Sequence, residues 1–250
     1  MSSRSAGGGS VLLRKVRSYA EIYNDLDGEI VNLFAVLRDP ATAARLVDLL
    51  WLTPFARDEF VLSYKDVPDR IEQARRLVVR SFMGFGSNAH ASDARGHRST
   101  GFRSNSNRSG TTPAQDWGNY PEALKATVAR LRGVIVENRD ARLVMTRHDG
   151  PATLHYLDPP YMHGLRAPSN KYDLKFRMYR HEMTDADHVQ LLDFVRGLTG
   201  MVVLSGYASP LYDDALPGWR RETKATHADG ARKRTEVLWL NPQACAGLAA

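Results

Sequence analysis

The sequence predicts an α/β fold built on one largely parallel sheet. Three observations lead there. Short apolar runs of strand length alternate along the chain with stretches of helical periodicity. Several of these runs are followed closely by an acidic residue, and ligand sites in such sheets form at the carboxyl ends of the strands. Finally, 43% of the 250 residues are hydrophobic, enough to bury a core between a sheet and its covering helices.

In chain order, residues 19–24 (YAEIYN) read as a short buried strand that runs into Asn24-Asp25. A helix follows, because Ile30, Leu33, Phe34 and Leu37 recur at i, i+3, i+4 and i+7. Pro40 and Pro54 punctuate further helices, and Ile71, Ala74 and Val78 mark another amphipathic helix running towards Phe82. Over residues 84–120 no periodicity survives, and Gly, Ser, Asn, Thr and Arg dominate. A loop of that length is usually functional or disordered. Alternation then returns: a strand over 133–137 (GVIVE), a helix over about 141–147, and a strand over 153–157 (TLHYL) that ends at Asp158. Thr184, with Asp187 as its capping-box partner, opens a helix carrying Leu191, Leu192, Val195 and Leu198. Residues 200–204 (GMVVL), 219–227 and 234–240 are the remaining strand candidates. The chain has no internal repeat.

Composition narrows the class. No apolar run approaches the ~18 to 20 residues of a membrane span, and the first nine residues lack the apolar stretch of a secretory signal. A single cysteine, Cys245, excludes an internal disulfide and a cysteine-based zinc site. The expected compartment is the cytoplasm, with no metal and no membrane partner. The net charge of +6 favours polyanionic partners. Its distribution says more: residues 94–115 contain no acidic side chain but include Arg95, Arg98, Arg103 and Arg108.

The sharpest local signal is Asp158-Pro159-Pro160-Tyr161, directly after a predicted strand. Consecutive prolines fix φ and remove two backbone donors. The Asp158 carboxylate and the Pro159 carbonyl can then face one donor group, and Tyr161 adds an aromatic face. That set suits a planar base with an exocyclic amine. As the amine attacks a sulfonium methyl, positive charge grows on nitrogen and two acceptors stabilise it. The alternative is a rigid turn at a strand exit.

These residues resemble the Dam-like family of adenine-specific (N6) DNA methyltransferases, whose catalytic motif Asp158-Pro159-Pro160-Tyr161 matches. Asn24-Asp25-Leu26 and the following Glu29-Ile30-Val31-Asn32-Leu33 resemble the family's strand exit where an acidic residue holds the cofactor's ribose. Asp25 would take that role, or else serve as a carboxylate favoured by a helix N-terminus. Asn138 to Asp140 resembles the site where a carboxylate meets the cofactor's adenine amine, and Asp140 reads equally as a helix cap. His181-Glu182-Met183-Thr184, Leu204-Ser205-Gly206-Tyr207 and Thr235-Glu236-Val237-Leu238-Trp239-Leu240-Asn241 also resemble family segments. The resemblance covers most of the chain from Gly7 to Pro242. It implies a Rossmann-like sheet using S-adenosyl-L-methionine as donor, with an inserted helical and loop region that recognises double-stranded DNA.

The expected organisation is a partial cofactor-binding part over 1–50, a target-recognition insertion over 51–120, and the rest of the methyltransferase core over 121–250. In the insertion, Arg98, Arg103, Asn105 and Arg108 are the candidate DNA-binding residues, able to meet phosphates or base edges. A solvated loop is the bland alternative. The family begins with a Lys- and Gly-containing segment and a central strand running into an acidic-Pro-Phe-x-Gly-x-Gly loop. Here Gly7-Gly8-Gly9-Ser10 and Val11-Leu12-Leu13-Arg14-Lys15 are the matching residues. The expectation is therefore a shortened cofactor segment, with Gly7, Gly8 and Gly9 as its remaining cofactor-binding residues and with weak cofactor binding. Two other readings stay open: an rRNA guanine-N2 methyltransferase, which shares an acidic-Pro-Pro-aromatic motif, and a remnant that binds DNA without turnover. A cytosine-C5 enzyme is disfavoured, since its cysteine nucleophile has only the tail residue Cys245 to draw on.

Overall fold

The computed structural model describes residues 7–84, 101–104, 112–162, 165, 181–227 and 233–249. The chain divides into two compact units, Met1–Arg139 and Asp140–Ala250.

In the first unit the order is α1 (Gly7–Arg14), β1 (Glu21–Asn24), α2 (Gly28–Arg38), α3 (Pro40–Leu52), α4 (Arg57–Leu62), α5 (Arg70–Met83), α6 (Pro113–Leu131) and β2 (Val134–Glu137). Short polar side chains start most of these helices by accepting orphan backbone N–H groups. Asp27 caps α2, Asp39 caps α3 with Pro40 at its first position, and Asp69 caps α5. Phe34 and Leu37 of α2 and Ile71, Ala74 and Val78 of α5 are buried as their spacing predicts. They share a core with Leu46 and Leu50 of α3 and Leu131 of α6. β1 and β2 pair in parallel, with Ile22 opposite Ile135 and Asn24 opposite Glu137.

α6 is the main departure from the sequence reading, which expects loop as far as residue 120. Thr112 and Gln115 form a reciprocal capping box and Pro113 takes the first turn, so the helix starts inside the expected loop. Tertiary burial holds it through Gly118 and Pro121. Trp117 is 4% exposed, donates its indole N–H to the Thr53 carbonyl at 2.8 Å, and packs with Phe82.

The start of β1 is anchored by a buried charge. Glu21 accepts from both Arg130 terminal nitrogens, at 2.6 and 2.8 Å, from the Ser18 N–H at 3.1 Å and from the Lys15 ammonium. The Arg130 hydrogen bonds foremost, aided by those of Lys15 and Ser18, lower its pKa from 4.5 to about 2.

In the second unit the order is α7 (Ala141–His148), β3 (Leu154–Leu157), α8 (Asp185–Arg196), β4 (Met201–Tyr207), α9 (Pro210–Ala215), β5 (Arg220–His227), β6 (Lys233–Leu240) and α10 (Pro242–Ala249). The sheet order is β3-β4-β6-β5. β3 and β4 are parallel, while β4 and β6, and β5 and β6, are antiparallel. The single, largely parallel sheet expected from sequence is thus replaced, among the described strands, by a parallel pair and a separate mixed sheet. β5 and β6 are antiparallel because only residues 228–232 separate them, too few for the crossover that a parallel pair needs. The Thr184–Asp187 capping box forms as predicted. Val202 and Leu204 of β4, Leu192 and Val195 of α8 and Trp239 of β6 make the core. Among the described residues no helix is long and apolar enough to cross a membrane.

Candidate active site

β3 delivers Asp158 one residue beyond Leu157, the last residue of the strand, which stands opposite Leu204 of β4. The next residue on β4 is Ser205. It is buried, and its hydroxyl lies 2.6 Å from Asp158 Oδ1 and 3.2 Å from the Leu157 carbonyl. A hydroxyl has one proton, which goes to the nearer, charged acceptor. Pro159 and Pro160 follow, neither with an N–H to offer. Tyr161 then meets Tyr207 edge to face, with ring centroids 4.5 Å apart.

The strand that receives this turn explains its own sequence. Ser205 and Tyr207 are two residues apart and project from one face of β4. Gly206 faces the other way, where a Cβ would come within 3.2 Å of the buried Trp239 ring. Trp239 is fixed in turn by its indole N–H, which donates to Asp213 at 2.9 Å. Tyr156, on β3, stands beside the same group. Burial raises its pKa, the Asp158 and Glu236 carboxylates raise it further, and Ser205 opposes them. Motif reasoning alone does not single out Ser205 or Tyr207 as site residues. The signal that could find them is the alternation Ser-Gly-Tyr along the strand, which puts two polar side chains on one face.

Asp25 lies just beyond β1 in the first unit. Tyr23 donates its hydroxyl to Asp25 Oδ2 at 2.8 Å, and the Asp27 N–H donates to Oδ1 at 2.9 Å. Asn138, beyond the neighbouring β2, donates to the Asp25 carbonyl at 2.6 Å. Asp27, not Asp25, caps α2. The Asp25 carboxylate is therefore oriented without being consumed by a helix end. Each oxygen takes one donor, from Tyr23 or from the Asp27 N–H, and has a second lone pair with which it could accept a hydroxyl, as a ribose diol would require.

Asp140 is engaged differently. It caps α7 through the Arg142 N–H at 2.8 Å and pairs with the Arg142 guanidinium, also at 2.8 Å. The Arg142 side-chain hydrogen bond lowers its pKa. Gly7, Gly8 and Gly9 form the first turn of α1 instead of a loop. Gly9 has a packing reason to lack a side chain, since a Cβ there would meet Phe34 Cζ at 2.9 Å.

Of the candidate DNA-binding residues, Arg103 is described. Its N–H donates to the Met83 carbonyl at 2.8 Å and its guanidinium to the Phe82 carbonyl at 3.3 Å. Phe102, beside it, packs on Phe55 and Phe60 and lies under the Arg57 guanidinium. This stretch is thereby fastened to the end of α5. Arg98, Asn105 and Arg108 lie outside the described residues.

One family model, described as D12 class N6 adenine-specific DNA methyltransferase, matches residues 6–216. No curated protein matches the chain.

Proposed function

The chain belongs to the D12 class of N6 adenine-specific DNA methyltransferases, and from that premise we propose how its residues divide the reaction. The class acts on adenine in DNA, so the guanine-N2 alternative on rRNA is not favoured. The substrate is an adenine flipped out of duplex DNA at a specific site, because N6 cannot be reached inside the stack. S-adenosyl-L-methionine, when bound, supplies an electrophilic methyl group on a sulfonium sulfur.

Asp158 and the Pro159 carbonyl accept from the two N6 hydrogens and hold the amine in line. As the N6 lone pair takes the methyl, the carbon–sulfur bond breaks and a neutral thioether would leave; positive charge develops on nitrogen, both acceptors stabilise it where it appears, and the excess N6 proton is then lost to solvent. Tyr161 offers its ring as a stacking face, which helps offset the few kcal/mol of unstacking. Asp25 accepts from the cofactor's ribose hydroxyls. Asp140 can meet the cofactor's adenine amine only by yielding part of its contact with Arg142. Gly7, Gly8 and Gly9, being helical, contribute backbone N–H groups of a helix start instead of a glycine loop. Residues 51–120 form the recognition part, in which Arg98, Arg103 and Arg108 meet phosphates and Asn105 reads an adenine edge.

The observation that carries this reading is the carboxylate of Asp158, held by Ser205 at a parallel-strand terminus and followed by two prolines and a paired tyrosine. The test is transfer of tritiated methyl to unmethylated duplex DNA. Asp158→Ala removes one of two preorganised acceptors, and the expected loss is ~10²- to 10³-fold in rate. Cofactor and DNA binding should weaken far less. Undiminished transfer by Asp158→Ala would overturn the assignment, and DNA binding without any transfer by the unsubstituted chain would favour the binding remnant.

A further inference from the structure

The carboxylates that end strands or start helices in this protein are mostly oriented by their own backbone. Asp25, Asp27, Asp39 and Asp140 each accept the N–H two residues ahead, from Asp27, Glu29, Ala41 and Arg142, at 2.8 to 2.9 Å. This is the local turn that aspartate makes by default. Asp158 cannot make it. The residue two ahead is Pro160 and the residue between is Pro159, so neither position has an N–H. Asp158 also lies past the last residue of β3, so the ladder does not fix its side-chain rotamer.

A donor is supplied from the next strand. Ser205 sits in β4, which is flanked by β3 on one side and β6 on the other, and its own backbone is in register with Leu238. The residue is 5% exposed, and its hydroxyl reaches Asp158 Oδ1 at 2.6 Å. Gly206 leaves room for the Trp239 ring, which a Cβ there would approach to 3.2 Å, and Tyr207 meets Tyr161 from the same face as Ser205. One strand therefore touches both functional side chains of the turn, through residues two apart.

We propose that Ser205 is a positioning residue: it replaces the backbone donor that Pro159 and Pro160 remove and sets the rotamer in which Asp158 receives the target amine. The Ser205 hydroxyl orients the carboxylate from the side while occupying one lone pair of Oδ1. This rests on the assignment of Asp158 to the reacting amine, and the test separates the two.

Steady-state transfer of tritiated methyl to unmethylated duplex DNA is measured for the full chain and for Ser205→Ala, Ser205→Thr, Asp158→Ala and the Ser205→Ala/Asp158→Ala double variant. Misplacement of a reacting group by about 1 Å can cost on the order of 100-fold, so Ser205→Ala should lose ~10- to 100-fold in kcat. Its KM values for DNA and cofactor should be nearly unchanged. Ser205→Thr, which keeps the hydroxyl, should recover most of the rate. In the Asp158→Ala background, Ser205→Ala should have no further effect, because its partner is gone. Equal further losses in both backgrounds would show a general packing role and overturn the proposal. So would full kcat in Ser205→Ala while Asp158→Ala is impaired. If Asp158→Ala itself retains full activity, the catalytic assignment falls, and this inference with it.

Discussion

Replacing Glu21 by Gln removes one charge at the root of β1 while keeping the shape of the side chain. The carboxylate is only 4% exposed and answers two cations, Arg130 at 15% and Lys15 at 33% exposure. Holding its pKa at about 2 instead of 4.5 corresponds to about 3 kcal/mol of preference for the charged form. Removing one partner of a buried ion pair typically costs ~3–5 kcal/mol, because the other charge is stranded. The two routes overlap at about 3 kcal/mol, or roughly 6–12 °C in melting temperature for a chain of this length. The pH dependence has a definite sign. Glu21 has a depressed folded pKa, so its contribution is complete above the unfolded value of 4.5 and fades as pH falls towards 2. Circular-dichroism melts of both proteins at pH 7, 4.5 and 3 should show a gap that is widest at pH 7 and narrower at each step down. Equal melting temperatures at pH 7, or a gap that stays constant to pH 3, would refute the argument.

Two further outcomes bear on the proposed site. Asp25→Ala should weaken S-adenosyl-L-methionine binding in calorimetry while leaving affinity for DNA alone intact; an unchanged cofactor Kd would remove Asp25 from the site. The triple variant Arg98→Ala, Arg103→Ala, Arg108→Ala should flatten the salt dependence of duplex binding by roughly 0.9 in log–log slope per lost phosphate contact. A salt titration that superimposes on that of the parent would mean that this stretch is not the recognition element.

What the sequence disclosed follows from the range of the interactions involved. The Thr184–Asp187 box, the spacing of Ile71, Ala74 and Val78, and the position of Asp158 after a strand are all decided within a few residues, and each is found as read. The start of α6 had the same local signature in Thr112, Pro113 and Gln115, but the Gly- and Asn-rich run before it and Pro121 within it masked the signal. Burial of Trp117, with its indole N–H on the Thr53 carbonyl, supports that stretch through a contact between residues far apart in sequence. Gly9 of α1 deceives in a related way: its helix propensity is low, but the position beside Phe34 has no room for a side chain. Which of Asp25 and Asp27 would cap α2 could not be told from spacing, since both precede a helix. The Ser205–Asp158 bond joins residues on two strands and depends on their register, which neither segment specifies alone.

The two prolines after Asp158 also shift when the order of the turn is established. Their φ angles are nearly as restricted in the unfolded chain as in the folded one, so each lowers the entropy lost on folding by ~0.4–1 kcal/mol where its native angle suits. A turn built from freely rotating residues would instead surrender that freedom at every encounter with substrate. Here the freedom is gone before any DNA arrives. Binding energy gathered along the duplex is then not spent on tidying the catalytic turn and can go towards drawing one base out of its helix. The rigidity carries a kinetic corollary: substitution of Pro159 or Pro160 by Ala should show itself less in the melting curve than in the lag between complex formation and methyl transfer.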